Sequence, residues 1–482
     1  MRSRSLLTVT GVVLLTIAAA VIGVRFRLLP PPVDLRAMTW DAASHALIGL
    51  DLFDHIRRLE PLLLLLRLQA EHWWPPLFGI LSLPAWAFGG RELTSPSLVS
   101  LASYIVIPPI VWLSVRRVTS AVPLMALGLV AVFLLRSPQL LEMSAWSMLE
   151  LSATLFAALA FFFFLGGRGS RARNWGYGFA GASTLLKYHY GFFLLVTFGA
   201  ATILELTPEE RRDLGRALVS RLRQRAIWIP ALAVAAAVAA RLIAEQFDPD
   251  PALPGVPTIL WIAYIALLVA MLVRRPRTRE LWLSLPTPVR RFLSCGLIWP
   301  AVWSIDLANV QVWYRQLRVS SDPPARWAEQ ISELARYLTD DYFLGPVALT
   351  LGAAGLAISI VAGFRRRRID LLAVAFHTIW PVALMSLSSF RIEPRFLSTM
   401  MAPLVLSAVL GWALLLERRP TAVRIAASVV LLAVVAAEQL ARTDAWGQHL
   451  VRRRVYVYLS SDPPDRFVRA TVQASARGEP VL

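Results

Sequence analysis

The chain of 482 residues holds one cysteine, Cys295, and one lysine, Lys187. A single thiol excludes an intramolecular disulfide and any metal site built from several cysteines. There is no G-x-x-x-x-G-K-[ST] loop and no glycine-rich turn after a strand, so the chain lacks the devices that cradle a soluble nucleotide. An activated donor, if one is used, would then arrive through the membrane. Acids are also short, 31 against 49 basic residues, and charged residues of both signs reach only 17%. Apolar residues make up 57% and the mean hydropathy is +0.58, beyond the roughly one-half apolar share of soluble domains. A soluble globular protein is excluded, and a polytopic membrane protein is expected.

A net charge of +18 could indicate nucleic acid, so its placement matters. Apolar runs long enough to cross about 30 Å of hydrocarbon alternate with short arginine-rich connections. The segments on one side of those runs (the N-terminus, 116–117, 168–173, 211–225, 274–291, 365–368 and 418–424) carry 26 arginines, and they and their edges hold only seven acids. The other side is close to neutral. The excess charge is therefore a positive-inside signal, and no nucleic-acid partner is called for.

With that rule the chain reads as an all-α bundle of about thirteen spans. They fall at 6–24, 97–115, 118–135, 148–166, 175–187, 189–206, 226–244, 258–273, 292–309, 343–364, 369–389, 396–416 and 424–441. The N-terminus is cytoplasmic, and the first run is read as a retained span because no cleavage site follows it. Residues 1–441 form the membrane domain, with long outer loops at 25–96 and 310–342, and 442–482 form a short polar outer tail. The stretch Trp74 to Gly89 is apolar but contains Pro75, Pro76 and Pro84. If it crossed, every later arginine-rich loop would change sides, so it is expected to be re-entrant or interfacial. Residues 136–147 read as a short outer loop, and Glu60-Pro61 and Asp322 as helix starts.

The candidate chemistry lies on the outer side of a protein in the cell membrane. From Trp40 a helix is expected in which Asp41, Ser44, His45, Asp51, His55 and Arg58 share one face and Ala43, Ala46, Leu47, Leu50 and Phe53 the other. Asp41 and His45, four residues apart, fall on one side of that helix. Asp41 can serve as a general base toward a hydroxyl, or it can cap the helix. His45 and His55 can assist it, bind a metal, or sit as interfacial polar residues. Lys187 and His189 interrupt the apolar pattern where two spans meet, which suits an anionic headgroup or a phosphate leaving group. Snorkelling with an aromatic belt explains them equally well. Arg391, Glu393 and Arg395 stand together in a late outer loop, where two arginines beside one acid leave a cation for phosphate.

The order of these parts resembles the GT-C glycosyltransferases, the polytopic class that includes protein O-mannosyltransferases and lipid A aminoarabinose transferases. The resemblance runs from one span through the outer stretch WDAASHALIGL, HWWPPLFGILSLPAWAFG, the span ending Arg116-Arg117, LLKYHYG and RIEPRFLSTMMAPL, over most of residues 1–416. It implies transfer of a sugar from a polyprenyl-phosphate donor to an acceptor hydroxyl of a lipid, glycan or protein on the extracytoplasmic side. Asp41 would be the acidic residue central to catalysis, acting as base, with Glu142 or Glu150 as the candidate second acidic residue. His45, Lys187, His189, Arg391, Glu393 and Arg395 would bind substrate, the cations neutralising the lipid phosphate. Many members carry two adjacent acids where this chain has Asp41 followed by Ala42, which argues against a divalent metal held by such a pair, and no other cofactor is implied. The rival expectation is a transporter or flippase for a lipid-linked sugar or another anionic amphiphile. It predicts matching repeats and ionisable residues near the bilayer midplane, whereas no convincing repeat is found and the ionisable residues cluster at span ends.

Overall fold

A computed structural model describes residues 2–28, 40–70, 75–91, 95–145, 147–165, 167, 170–222, 282–303, 332, 335, 338, 344–387 and 397–441. Every regular element among them is helical. Among the described residues five helices are long and apolar enough to cross a membrane, or up to seven if each of two bent pairs is one span. The expected spans at 226–244 and 258–273, the loop at 310–331 with Asp322 and the tail 442–482 lie outside the described residues.

The frame begins with α1 (Arg2–Leu28) laid along α5 (Ser97–Val118). Trp112 of α5 donates its indole N–H to the Thr8 carbonyl at 3.1 Å. A Cβ on Gly11 would lie 2.4 Å from that indole nitrogen, so glycine is what lets the ring seat itself. Next come α6 (Pro123–Val130), which runs on as a π-turn over Ala131–Leu135, and α8 (Leu149–Phe164). Residues 136–147, expected as a loop, contain the short helix α7 (Pro138–Ser144), bent 60° from the preceding helix. The Ser137 hydroxyl accepts from the Leu140 amide and Pro138 takes the first helical position, a capping signal plain in the sequence.

Then follow α9 (Ala172–Ala182), α10 (Tyr188–Leu204) and α11 (Pro208–Leu222), the last turned 114° from α10. Two short helices, α12 (Thr287–Phe292) and α13 (Ile298–Trp303), are joined by a π-turn. The chain closes with α14 (Pro346–Arg365), α15 (Ile369–Leu387), α16 (Ser398–Leu416) and α17 (Thr421–Ala441). α16 is the axis of the bundle, buried along nearly its whole length. It approaches α14 so closely that a Cβ on Gly411 would stand 1.8 Å from the Gly355 carbonyl oxygen. Lipid tails offer no apolar driving force between helices, so such small-residue crossings carry the association.

Arginines mark one end of the bundle. Arg117 reaches the Phe162 carbonyl at the end of α8, and Arg173 reaches the Phe164 carbonyl. Arg173 also forms a two-pronged ion pair with Glu205, both side chains under one-tenth exposed. Its guanidinium lies 4.2 Å over the Phe164 ring, which itself stacks on Phe198 at 4.4 Å. Since α5 and α8 run toward this end, their N-terminal ends, where the outer-side candidates lie, are at the other.

Candidate active site

At that second end α2 (Trp40–Arg57), α3 (Pro61–Ala70) and α4 (Leu77–Gly89) lie against the bundle. α4 has 13 residues, about 20 Å at 1.5 Å per residue, too short for the hydrocarbon core. Its face meets α2 through glycines. A Cβ on Gly49 would fall 2.2 Å from Ser82 Oγ and 2.8 Å from Trp86 Nε1. The far end of α2 is tied down by ion pairs of Asp51 with Arg67 and of Asp54 with Arg91, and by a 2.9 Å hydrogen bond of His55 Nδ1 to Glu60. His55 is thus a structural residue of the α2–α3 corner.

This packing corrects the expected position of His45. The sequence pattern set it on a polar interfacial face, yet it is 3% exposed, because α4 covers that side of α2. Its ring lies 5.6 Å from that of Phe78, and Nδ1 is 3.1 Å from the Ser147 carbonyl oxygen. A carbonyl only accepts, so Nδ1 carries the proton, and Nε2 is the basic nitrogen of the neutral ring. Asp41 is one helical turn before His45, in the first turn of α2; its side chain lies outside the described residues.

The segment that receives His45 also carries the second acid. Met148, next to Ser147, accepts from Ser100 Oγ at 3.0 Å, which pins the connector to α5. Glu150 follows in the first turn of α8, where the helix dipole favours a carboxylate. It is 1% exposed. Its Oε1 is 3.5 Å from Lys187 Nζ, and its Oε2 is buried with no hydrogen-bond partner among the described residues.

Lys187 reaches Glu150 because the chain is extended there (φ −157°, ψ 128°), between the 3₁₀ turn Ser183–Leu185 and α10. It is 7% exposed, with Nζ 5.6 Å from the centre of the Tyr190 ring. The snorkelling alternative therefore fails: the only lysine of the chain is turned inward. Phe78, Leu149, Leu186 and Tyr190 form the apolar cluster at this place, which lowers the local polarisability and strengthens the pair. At 3.5 Å and an effective dielectric of about 20, the attraction is roughly 5 kcal/mol before desolvation, against about 1 in water.

The structure thus pairs Glu150 with Lys187 and ties His45 to the connector just before Glu150, joining residues from three elements far apart in the chain. His189 is half-buried, with its ring edge-on to Tyr190 at 4.2 Å and 6.1 Å from Phe193. Glu142 is half-buried on α7. Arg391, Glu393 and Arg395 lie outside the described residues. Between the two candidate second acids, Glu150 is the one whose contact with Lys187 is seen. One signal pointed there: an acid in the first turn of an apolar span and a lone lysine at the start of another, on the same side. Among the described residues no group of three or more His, Cys, Asp or Glu is placed to hold a metal ion. What the arrangement offers is a buried carboxylate oxygen with no partner among the described residues, an ammonium beside it and the α2 imidazole bonded to the connector just before it, a setting able to bind a polar group at the end of an apolar bundle.

No protein-family model matches the chain, and no curated protein matches it significantly. Among solved structures it is similar to ArnT from Cupriavidus metallidurans bound to undecaprenyl phosphate, at 13% identity and a TM-score of 0.47, over 97% of this chain and 69% of that one. It is also similar to the oligosaccharyltransferase AglB from Archaeoglobus fulgidus in complex with an inhibitory peptide and a dolichol-phosphate. There the identity is 15% and the TM-score 0.46, over 89% of this chain and 56% of that one.

Proposed function

We propose that the chain is a membrane glycosyltransferase that moves a sugar from a polyprenyl-phosphate donor to an acceptor hydroxyl on the extracytoplasmic side. The reading rests on the ordered resemblance of its segments to the GT-C class and on one observation. His45, a turn after Asp41, is bonded to the connector that leads into α8 and Glu150, and Glu150 is paired with the only lysine, at the end of the bundle away from the arginines. A lipid-linked donor would keep its tail among the spans and present its phosphate at the level of Lys187.

In this reading Asp41 takes the proton of the acceptor hydroxyl, whose oxygen attacks the anomeric carbon from the face opposite the phosphate. The bond from that carbon to the phosphate oxygen breaks, the anomeric configuration inverts, and polyprenyl phosphate leaves with its electron pair. Lys187, with Arg391 and Arg395, offsets the charge that develops on the leaving oxygen. Glu150 holds Lys187 in place before the donor arrives, and its second oxygen, without a partner among the described residues, accepts a hydroxyl of the bound sugar.

The test is incubation of the purified protein with a panel of radiolabelled polyprenyl-phosphate sugars. Release of free carrier phosphate is expected from the unaltered chain. Asp41→Asn should lower the rate by roughly 10²- to 10⁴-fold, the range for a positioned base. Full activity in that variant would remove Asp41 from the mechanism. Passage of intact labelled donor across a bilayer, with no carrier phosphate released from any donor, would overturn transfer in favour of transport.

A further inference from the structure

At the arginine-rich end three connectors come together, and their geometry exceeds what membrane topology alone requires. Glu417, just after α16, accepts from Thr119 at the end of α5 and from Arg366 between α14 and α15, at 3.3 and 2.8 Å. That one carboxylate therefore gathers the α5–α6, α14–α15 and α16–α17 turns into a single surface. The gathered turns hold eight arginines (116, 117, 365–368, 418 and 419) and two acids, Glu417 and Asp370. Both acids are already engaged, since Asp370 is clasped by Arg368 at 2.8 and 2.6 Å. Arg365, Arg367, Arg418 and Arg419 are exposed.

Arg367 shows that charge here is kept at a cost. α14 ends in a left-handed turn in which the Arg367 amide bonds the Phe364 carbonyl and the Arg368 amide the Gly363 carbonyl. The left-handed residue of such a turn is usually glycine, yet here it is Arg367 with φ 51°, a conformation costly for a residue with a Cβ. The surroundings identify the class of anion. Phe364, one residue before the arginines, is 68% exposed, and Leu415, Val423 and Ile425 nearby are exposed too. A cationic rim directly above exposed apolar side chains matches the boundary between headgroups and acyl chains, whereas a soluble polyanion would leave the apolar part uncovered.

We infer that these three turns form a docking surface for the headgroups of anionic phospholipids in the leaflet on the arginine-rich side. The guanidinium forks meet phosphodiester oxygens, and the exposed side chains of α14, α16 and α17 meet the first acyl carbons.

The experiment uses the full chain in mild detergent, titrated with phosphatidylglycerol or with phosphatidylcholine of the same acyl chains, bound lipid being counted by native mass spectrometry. Preferential retention of phosphatidylglycerol is expected, weakening with salt. Arg365→Gln, Arg367→Gln, Arg418→Gln and Arg419→Gln together should lower its apparent affinity about a hundredfold or more, each arginine near an anionic surface counting for roughly fivefold. Arg211→Gln with Arg212→Gln, on α11 and not among these three turns, should leave the preference intact. If the fourfold variant does not fold, the single variants Arg367→Gly and Arg419→Gln, each expected to lose about fivefold, provide the reading. Equal retention of the two lipids, an undiminished preference in the variants, or displacement of phosphatidylglycerol by millimolar inorganic phosphate would overturn the assignment.

Discussion

The ion pair of Glu150 and Lys187 allows its structural and its chemical contributions to be separated. Both side chains are under one-tenth exposed and 3.5 Å apart. Lys187→Met leaves Glu150 buried without its cation, and losing one partner of a buried pair costs about 3–5 kcal/mol. Glu150→Gln takes the carboxylate away from the buried ammonium and should destabilise as well. The attraction estimated at this distance, roughly 5 kcal/mol at an effective dielectric of about 20, is of the same size, so the single losses should not add. Glu150→Gln with Lys187→Met should recover most of the stability, because exchanging a buried pair for neutral groups is often neutral or favourable. Transfer activity should behave differently: it stays lost in the double variant, since no ammonium remains for the phosphate. The assays are unfolding of the purified protein in detergent, followed by tryptophan fluorescence, and release of carrier phosphate at saturating donor. Additive destabilisation would refute the pairing. Transfer activity restored along with stability in the double variant would refute any role for Lys187 in the reaction.

Other variants probe the scaffold. Gly49→Ala should destabilise by about 1–3 kcal/mol, as overpacking does, and lower activity by tilting α2 away from α4; unchanged Tm and rate would mean that the contact with Ser82 and Trp86 yields freely. Gly411→Leu, entering the crossing with Gly355, should prevent accumulation of folded protein, read as loss of the monodisperse peak in size-exclusion chromatography. Glu205→Gln breaks the buried pair with Arg173 and should cost about 3–5 kcal/mol, with little effect on the rate of whatever folded protein remains. His45→Ala should lower activity at a stability cost near the roughly 1–3 kcal/mol of an orphaned buried group, checked by the same two assays.

Much of the architecture was legible because membrane helices obey two coarse rules. The expected spans 97–115, 148–166, 189–206, 343–364 and 396–416 are helices at nearly those residues, since an apolar run in lipid must satisfy its backbone internally. The start of α2 at Trp40 and of α3 after Glu60-Pro61 followed from periodicity and from proline at a first turn. Residues 136–147, expected as a short outer loop, hold α7, whose Ser137-Pro138 start is a capping signal present in the sequence.

By itself, then, the sequence determined an all-helical membrane chain, the side on which its arginines collect, and the few ionisable residues worth considering at the other end. It could not determine which of them meet. Helical periodicity says which residues share a face but not what covers that face, so His45 looked interfacial until α4 was seen packed over it through Gly49. Charge counting says that Lys187 lies at a span end but not whether it turns to water or inward. Only the tertiary structure decided that it turns to Glu150, because that contact depends on how α8 and α10 stand beside each other, set by side-chain packing between segments distant in the chain. The same holds at the arginine-rich end, where Glu417 gathers three turns that the sequence merely lists in order.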